Sequence, residues 1–95
     1  MTAARPEALR ALVAHALEKS DTAPANAASV AAALVAAEID GQKGHGLARV
    51  ASYAAQARSG KVNGRATPRL AQPKPAVLIV DAADGFAYPA IDLAI

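Results

Sequence analysis

Apolar residues recur through the first sixty positions at the three- and four-residue spacing of amphipathic helices. The first such stretch predicts a helix that begins at Pro6, a residue suited to a first helical turn, and closes at the polar residues 19–21. We expect one face of this helix to be buried. Its apolar stripe comprises Leu9, Leu12, Val13 and Leu17.

The next stretch predicts a second helix, in which a few larger apolar residues stand among alanines, the strongest helix formers. Asp21 or Thr22 is placed to cap its start, and Pro24 falls near its first turn. Gly41 is expected to end it. The larger apolar residues of this helix are Val30, Leu34 and Val35.

A third helix is predicted from about His45 to Ser59, with Gly60 as its C-terminal cap. One side of this helix can pack on the core while a neighbouring side faces a cleft. The packing side comprises Leu47, Val50, Ala54 and Ala57. The polar side comprises His45, Arg49, Tyr53 and Gln56.

The pattern changes after residue 60. Three prolines make residues 61–75 extended chain or an edge strand, and the run Val77–Val80 predicts a buried strand without an obvious partner. Asp84-Gly85 marks a turn, and a short helix is predicted from Pro89. Because this last helix is too short to be stable alone, we expect the domain to continue past the end of the chain.

These elements predict a helical domain over residues 1–64 and the start of an α/β domain over residues 65–95. The chain has 95 residues, of which 54% are apolar, but alanine supplies more than half of that apolar set. Alanine buries little area, so the core of this chain alone should be thin. We therefore expect the chain to pack against the remainder of the same, longer protein.

Charge is unevenly distributed although the net charge is only +2. Residues 41–80 contain no acidic residue. Such a stretch can attract an anionic substrate, a nucleotide phosphate or nucleic acid, or it can be balanced by acidic groups elsewhere in a larger protein. Few aromatic residues accompany it, which makes nucleic acid the weaker interpretation. Its basic residues are Lys43, Arg49, Arg58, Lys61, Arg65, Arg69 and Lys74.

The chain lacks cysteine, which excludes disulfide and thiolate chemistry within it. Charged residues interrupt the first ten positions, and no apolar run is long enough for a membrane span. We expect a cytoplasmic protein without a membrane partner. No metal site is predicted from the sequence.

The strongest chemical signal is the spacing of His45, Arg49 and Tyr53, four residues apart. On one helix face these side chains would line one wall of a site. Arg49 can hold a carboxylate with two parallel hydrogen bonds, and His45 can exchange a proton near neutral pH. The alternatives are a polar loop histidine, a solvated arginine and a tyrosine that only packs. The glycines on either side of the histidine favour a tight turn or a close approach at this position.

Several motifs, taken in order, resemble the malate/L-lactate dehydrogenase family. They are the run Gly-His-Gly-Leu-Ala-Arg at residues 44–49, Tyr53, the run Ser-Gly-Lys-Val-Asn-Gly at 59–64, and the Asp-Gly turn with its flanking strand and helix at 80–94. The resemblance departs from the family pattern at three positions. Gly44 replaces the usual serine, and Ala87 and Tyr88 replace the usual glycine and glutamine.

The resemblance implies an oxidoreductase that transfers a hydride between NAD or NADP and a small 2-hydroxy or 2-oxo acid such as malate or lactate. Relatives in this family also act on ureidoglycolate, sulfolactate, diketogulonate and cyclic imino acids. The implied fold is α/β but not the Rossmann fold, which agrees with the absence of a Gly-x-Gly-x-x-Gly motif. The family usually forms homodimers.

The resemblance also implies roles for individual residues. His45 would be catalytic, while Arg49, Tyr53 and Gly44 would bind substrate. Most cofactor contacts would lie beyond Ile95, so the isolated 95-residue chain should be inactive. The rival prediction from another class is a small basic helical module that binds nucleic acid or a protein partner. A third is a purely structural helical segment in an assembly.

Overall fold

The structure is a computed structural model that describes the backbone of residues 5–74 and 77–94, with all their side chains except those of residues 43 and 72–79. Over these residues the chain is mostly helical with one strand pair. In chain order, the elements are α1 (Pro6–Glu18), α2 (Pro24–Ile39), two 3₁₀ turns (Lys43–His45 and Leu47–Arg49), α3 (Val50–Ser59), β1 (Arg69–Lys74), β2 (Val77–Asp81) and α4 (Ala87–Ala94).

Helices α1 and α2 form as the apolar spacing predicts, each with a proline in its first turn. Val13 and Leu17 of α1 are buried, whereas Leu12 is 66% exposed, so its assignment to the buried stripe is wrong. Leu9, Val13 and Leu17 follow one another at four-residue spacing, while Leu12 is rotated about 100° from Val13 and lies beyond the contact. The buried face of α2 forms the centre of the core.

The start of α2 differs from the prediction. Neither Asp21 nor Thr22 caps the helix; the capping position is Ala23, which makes no side-chain hydrogen bond. Its backbone N–H donates instead to the carbonyl oxygen of Gly64 at 3.0 Å. Asp21 lies in the left-handed region at φ 61°, and its carboxylate pairs with Arg65 at 2.6 Å. The tight turn between α1 and α2 therefore directs this acid away from the helix end.

The third helix begins five residues later than predicted, at Val50. Gly46 interrupts the helical path, because its backbone angles of φ −104° and ψ −129° are not helical. Residues on either side of it form separate 3₁₀ turns. The C-terminal prediction is confirmed, since Gly60 ends α3 with φ 82° in the left-handed region.

The edge-strand alternative for residues 61–75 is confirmed over Arg69–Lys74, and this strand is the partner that the sequence does not make obvious for the Val77–Val80 run. β1 and β2 pair antiparallel, with Arg69 opposite Asp81 and Leu70 opposite Val80. The register shifts between Ala71 and Lys74. Val80 is half-buried, and the remaining side chains of the predicted buried run lie outside the described part of the chain.

Helix α4 begins at Ala87, two residues before the predicted Pro89, and packs against α2. The Ser29 hydroxyl of α2 donates a hydrogen bond to the Asp92 carboxylate of α4. The buried amide of Asn26 donates to the carbonyl oxygens of Gly64 and Ala66 at 2.9 and 2.7 Å. One helix thus organises both the helical half and the segment after residue 64, and the domain division at 64/65 stays a prediction.

Candidate functional site

The predicted catalytic residue lies on the connection between α2 and α3. His45 ends the first 3₁₀ turn, and its backbone N–H donates to the carbonyl oxygen of Gln42 at 2.9 Å. Its side chain is exposed. The second 3₁₀ turn then leads into α3, with the Arg49 N–H donating to the carbonyl oxygen of Gly46 at 2.9 Å. The imidazole is therefore carried by a hydrogen-bonded loop and not by the helix face that the spacing predicts.

A carboxylate from α2 fixes this loop. The Glu38 Oε1 atom accepts a hydrogen bond of 3.0 Å from the backbone N–H of Leu47. A Cβ atom at Gly46 would lie 2.7 Å from that same oxygen, so only glycine allows this approach. At Gly44, by contrast, an added Cβ would meet nothing within 4 Å. The close approach expected from the paired glycines is confirmed at Gly46 alone.

The predicted carboxylate-binding residue is tied to the same loop. Arg49 is exposed, and its Nε donates a hydrogen bond of 2.6 Å to the carbonyl oxygen of Gly44, the residue beside His45. Among the described residues, no hydrogen bond or ion pair engages its two terminal nitrogens. With Nε occupied, the parallel pair of hydrogen bonds to a carboxylate must come end-on from those two nitrogens.

A tyrosine pair lies beside this arginine. Tyr53 is half-buried in α3, and its ring packs against that of Phe86, with centroids 5.7 Å apart and the planes tilted by 38°. Burial raises the pKa of the Tyr88 hydroxyl, and the charge and hydrogen bond of the Tyr53 hydroxyl raise it further. The Arg49 guanidinium opposes this by lowering the same pKa. The structure therefore brings Arg49, Tyr53 and Tyr88 within electrostatic reach of one another.

The one-face arrangement of the three spaced residues holds only in part. Arg49 has helical backbone angles and precedes α3 directly, so Arg49 and Tyr53 keep their four-residue relation. His45 is separated from them by the break at Gly46. The Arg49 side chain nevertheless reaches back to the carbonyl oxygen of Gly44, the residue directly before His45.

One neighbour of this site is not predicted from the sequence. Glu38 lies eight residues before Gly46 on another helix, and nothing in its local sequence signals a contact with the loop. Tyr88 departs from the family pattern, and that departure marks it as either a local specificity residue or a packing residue.

A groove of about 490 Å³ lies elsewhere, between the start of α2, residues 65–68 and α4. Four of its five polar side chains are already engaged within the protein: Asn26 donates to two carbonyls, Ser29 bonds Asp92, and Arg65 pairs with Asp21. Such a surface is typical of packing between elements rather than of a chemical site. We therefore centre the candidate site on the loop that carries His45.

The turn before α4 is closely packed. A Cβ at Gly85 would lie 2.8 Å from the Ala66 Cβ and 2.9 Å from the Ala82 carbonyl oxygen, so this glycine is required by internal packing. No group of three metal-binding side chains lies together among the residues described, and none of their helices is long and apolar enough to cross a membrane.

Comparison with known proteins confirms the family resemblance. Residues 4–95 match the profile of the family described as malate/L-lactate dehydrogenase. Over 67 residues the chain is 45% identical to a Δ1-pyrroline-2-carboxylate reductase of Ancylobacter novellus, covering 70% of this chain and 20% of that protein. Over 61 residues it is 51% identical to a (2R)-3-sulfolactate dehydrogenase (NADP⁺) of Chromohalobacter salexigens, covering 64% of this chain and 18% of that protein.

The fold is also found in a solved structure. The crystal structure of Δ1-piperideine-2-carboxylate reductase from Pseudomonas syringae pv. tomato superimposes with a TM-score of 0.93 at 31% identity. The match covers 99% of this chain and 28% of that one. The chain spans about a fifth of the length of the curated relatives it matches.

Proposed function

The chain belongs to the malate/L-lactate dehydrogenase family, and from this we propose that it is the N-terminal part of an NAD- or NADP-dependent oxidoreductase acting on a small 2-oxo, 2-hydroxy or 2-imino acid. The named relatives support this class, because the pyrroline and piperideine carboxylates and sulfolactate each carry a carboxylate beside the carbon that changes oxidation state. Malate and lactate fit the same description. The family resemblance implies a homodimer with a non-Rossmann α/β fold, and the cytoplasmic location stays the expectation drawn from the sequence.

The observation that carries the proposal is the anchored arginine. The Arg49 Nε is held at 2.6 Å by the Gly44 carbonyl, which leaves the two terminal nitrogens of the guanidinium without a hydrogen-bond partner among the described residues. An end-on pair of charge-assisted hydrogen bonds would bind and orient a substrate carboxylate. Orienting the acid in this way fixes which face of its reacting carbon is presented to the hydride donor.

His45 would handle the proton. Its exposed imidazole lies next to Gly44, the residue that anchors the arginine. In reduction it would donate a proton to the substrate oxygen or nitrogen, and in oxidation it would accept that proton back. Tyr53, which lies four residues after Arg49, would add a hydroxyl to the same site.

The nicotinamide cofactor, when bound, supplies the hydride. Because the family resemblance implies that most cofactor contacts lie beyond Ile95, we assign this chain the acid-binding and proton-transfer side of the reaction. Residues elsewhere in the full-length protein would hold the cofactor. The 95-residue chain alone is therefore expected to be inactive.

The test uses the full-length protein with NADH or NADPH. It is assayed against pyruvate, oxaloacetate, 3-sulfopyruvate and Δ1-piperideine-2-carboxylate, and against the methyl ester of each acid. We expect turnover of at least one acid, with kcat/KM lower by about tenfold to a hundredfold on its ester, since a charge-assisted contact contributes about 1.5–3 kcal/mol. Absence of turnover, or equal turnover of acid and ester, would contradict the proposal. Salt-sensitive nucleic-acid binding in its place would favour the rival basic module.

A further inference from the structure

Glu38 binds the loop of the candidate site at the point where the loop lacks a cap of its own. Gly46 precedes the second 3₁₀ turn and has no side chain with which to cap it. Glu38, from the last turn of α2, supplies the missing acceptor with its 3.0 Å contact to the Leu47 N–H. A carboxylate at the N-terminal end of a helical segment satisfies a backbone donor and is favoured by the local dipole.

Gly46 lies in close contact with Glu38 in addition to the hydrogen bond at Leu47. An added Cβ at Gly46 would meet the Glu38 Oε1 atom at 2.7 Å and its Cβ and backbone nitrogen at 2.9 Å each. Two of these three atoms belong to the rigid part of α2. The loop therefore lies directly on the helix backbone and is not merely tethered by a flexible side chain.

The helix that carries Glu38 is well anchored. Leu34 and Val35, in the turn before it, are fully buried in the core. Glu38 itself is half-buried at the edge of that core. A contact from this helix can therefore transmit the rigidity of the core to the loop.

The contact falls midway between the two residues that the proposed chemistry requires. Gly46 follows His45 directly, and Leu47 is two residues from Arg49. The Gly46 carbonyl oxygen also accepts a hydrogen bond of 2.9 Å from the Arg49 N–H, so the backbone at Gly46 helps to position the Arg49 backbone. We propose that Glu38 is a positioning residue, which fixes His45 and Arg49 relative to each other by holding the Leu47 amide against α2. This inference rests on the function proposed above.

The test compares three variants of the full-length protein. Glu38→Ala removes the acceptor, Glu38→Gln keeps an acceptor oxygen of the same reach, and Glu18→Ala removes the same charge from an exposed position at the end of α1. We expect Glu38→Ala to lower kcat and to raise KM, with kcat/KM falling about tenfold to a hundredfold, because small misplacements of reacting groups are costly. Glu38→Gln should recover most of this loss, and Glu18→Ala should match the unmodified protein.

Hydrogen exchange at the Leu47 amide gives a readout that does not need activity. It should accelerate in Glu38→Ala and stay near its original rate in Glu38→Gln. Unchanged exchange and kinetics in Glu38→Ala would overturn the positioning role while leaving the proposed function intact. An equal loss in both Glu38 variants, with the fold preserved, would also overturn it, because the charge and not the acceptor would then matter. Lack of turnover in every form would refute the proposed function, and the exchange rates alone would then decide whether the contact holds the loop.

Discussion

The two glycines around His45 should respond in opposite ways to the same substitution. Gly46→Ala places a methyl group 2.7–2.9 Å from three atoms of Glu38, whereas Gly44→Ala places it where nothing lies within 4 Å. Cβ atoms in proteins do not lie as close as 2.7–2.9 Å to other heavy atoms, so in Gly46→Ala either the loop must move away from α2 or α2 must shift. Neither glycine has a positive φ, so left-handed backbone strain does not enter the contrast.

The magnitude follows from which atoms are in the way. Overpacking of this kind costs about 1–3 kcal/mol, and the backbone nitrogen of Glu38 cannot move without disturbing the buried helix. Gly44→Ala meets no such obstacle and gains about 0.4–1 kcal/mol from the reduced freedom of the unfolded chain. If the strain is taken up locally, the Leu47 amide opens more easily in Gly46→Ala. The same 1–3 kcal/mol corresponds to exchange faster by roughly 5- to 150-fold.

The assay is urea unfolding of the two full-length variants together with hydrogen exchange at Leu47. We expect a lower urea midpoint or faster exchange in Gly46→Ala, and neither change in Gly44→Ala. Equal behaviour of the two variants would refute the contact between the loop and α2.

Three further predictions concern the candidate site. His45→Ala should lower mainly kcat, by roughly 10²–10⁴ as for the loss of a general acid, and an unchanged pH–rate profile with full activity would remove His45 from the mechanism. Gly44→Ser should fold normally, because nothing lies within 4 Å of an added Cβ. Its added hydroxyl should change the ratio of kcat/KM values among the four substrate acids by about two- to tenfold. Unaltered selectivity would place residue 44 outside the site. Tyr53→Phe should move the pKa of Tyr88 back toward its ordinary value of 10.0, as followed by tyrosinate absorbance. In the unmodified protein, the raised pKa means that Tyr88 keeps its proton at pH values at which the unfolded chain has lost it. Its contribution to stability is therefore full below about pH 10 and is lost as the pH rises through the higher pKa of the folded state. A titration of Tyr88 that is unaffected by Tyr53→Phe would contradict the pairing.

Local sequence was sufficient for the elements whose causes are local. The spacing of Val30, Leu34 and Val35 placed the buried face of α2, and Gly60 marked the end of α3. Both features arise from interactions within one or two helical turns. The family could also be recognised from the sequence, because each of its motifs is a short contiguous run of residues.

Local sequence does not predict the geometry where residues distant in the chain decide it. The helix predicted from His45 is interrupted because Glu38, on another helix, occupies the space at Gly46 and takes over the capping of the next turn. Asp21, one of the two predicted caps of α2, pairs instead with Arg65, more than forty residues away. Spacing along the chain carries no information about either contact.

The central claim is that Arg49 binds the carboxylate of the substrate. The most direct measurement compares Arg49→Lys with the unmodified full-length protein on an acid and on its methyl ester, with Arg58→Lys, on the exposed last turn of α3, as the matched control. Lysine keeps the charge but loses the end-on pair of hydrogen bonds, so kcat/KM should fall about tenfold to a hundredfold on the acid and remain nearly unchanged on the ester. Equal losses on acid and ester, or no loss on the acid, would contradict the account.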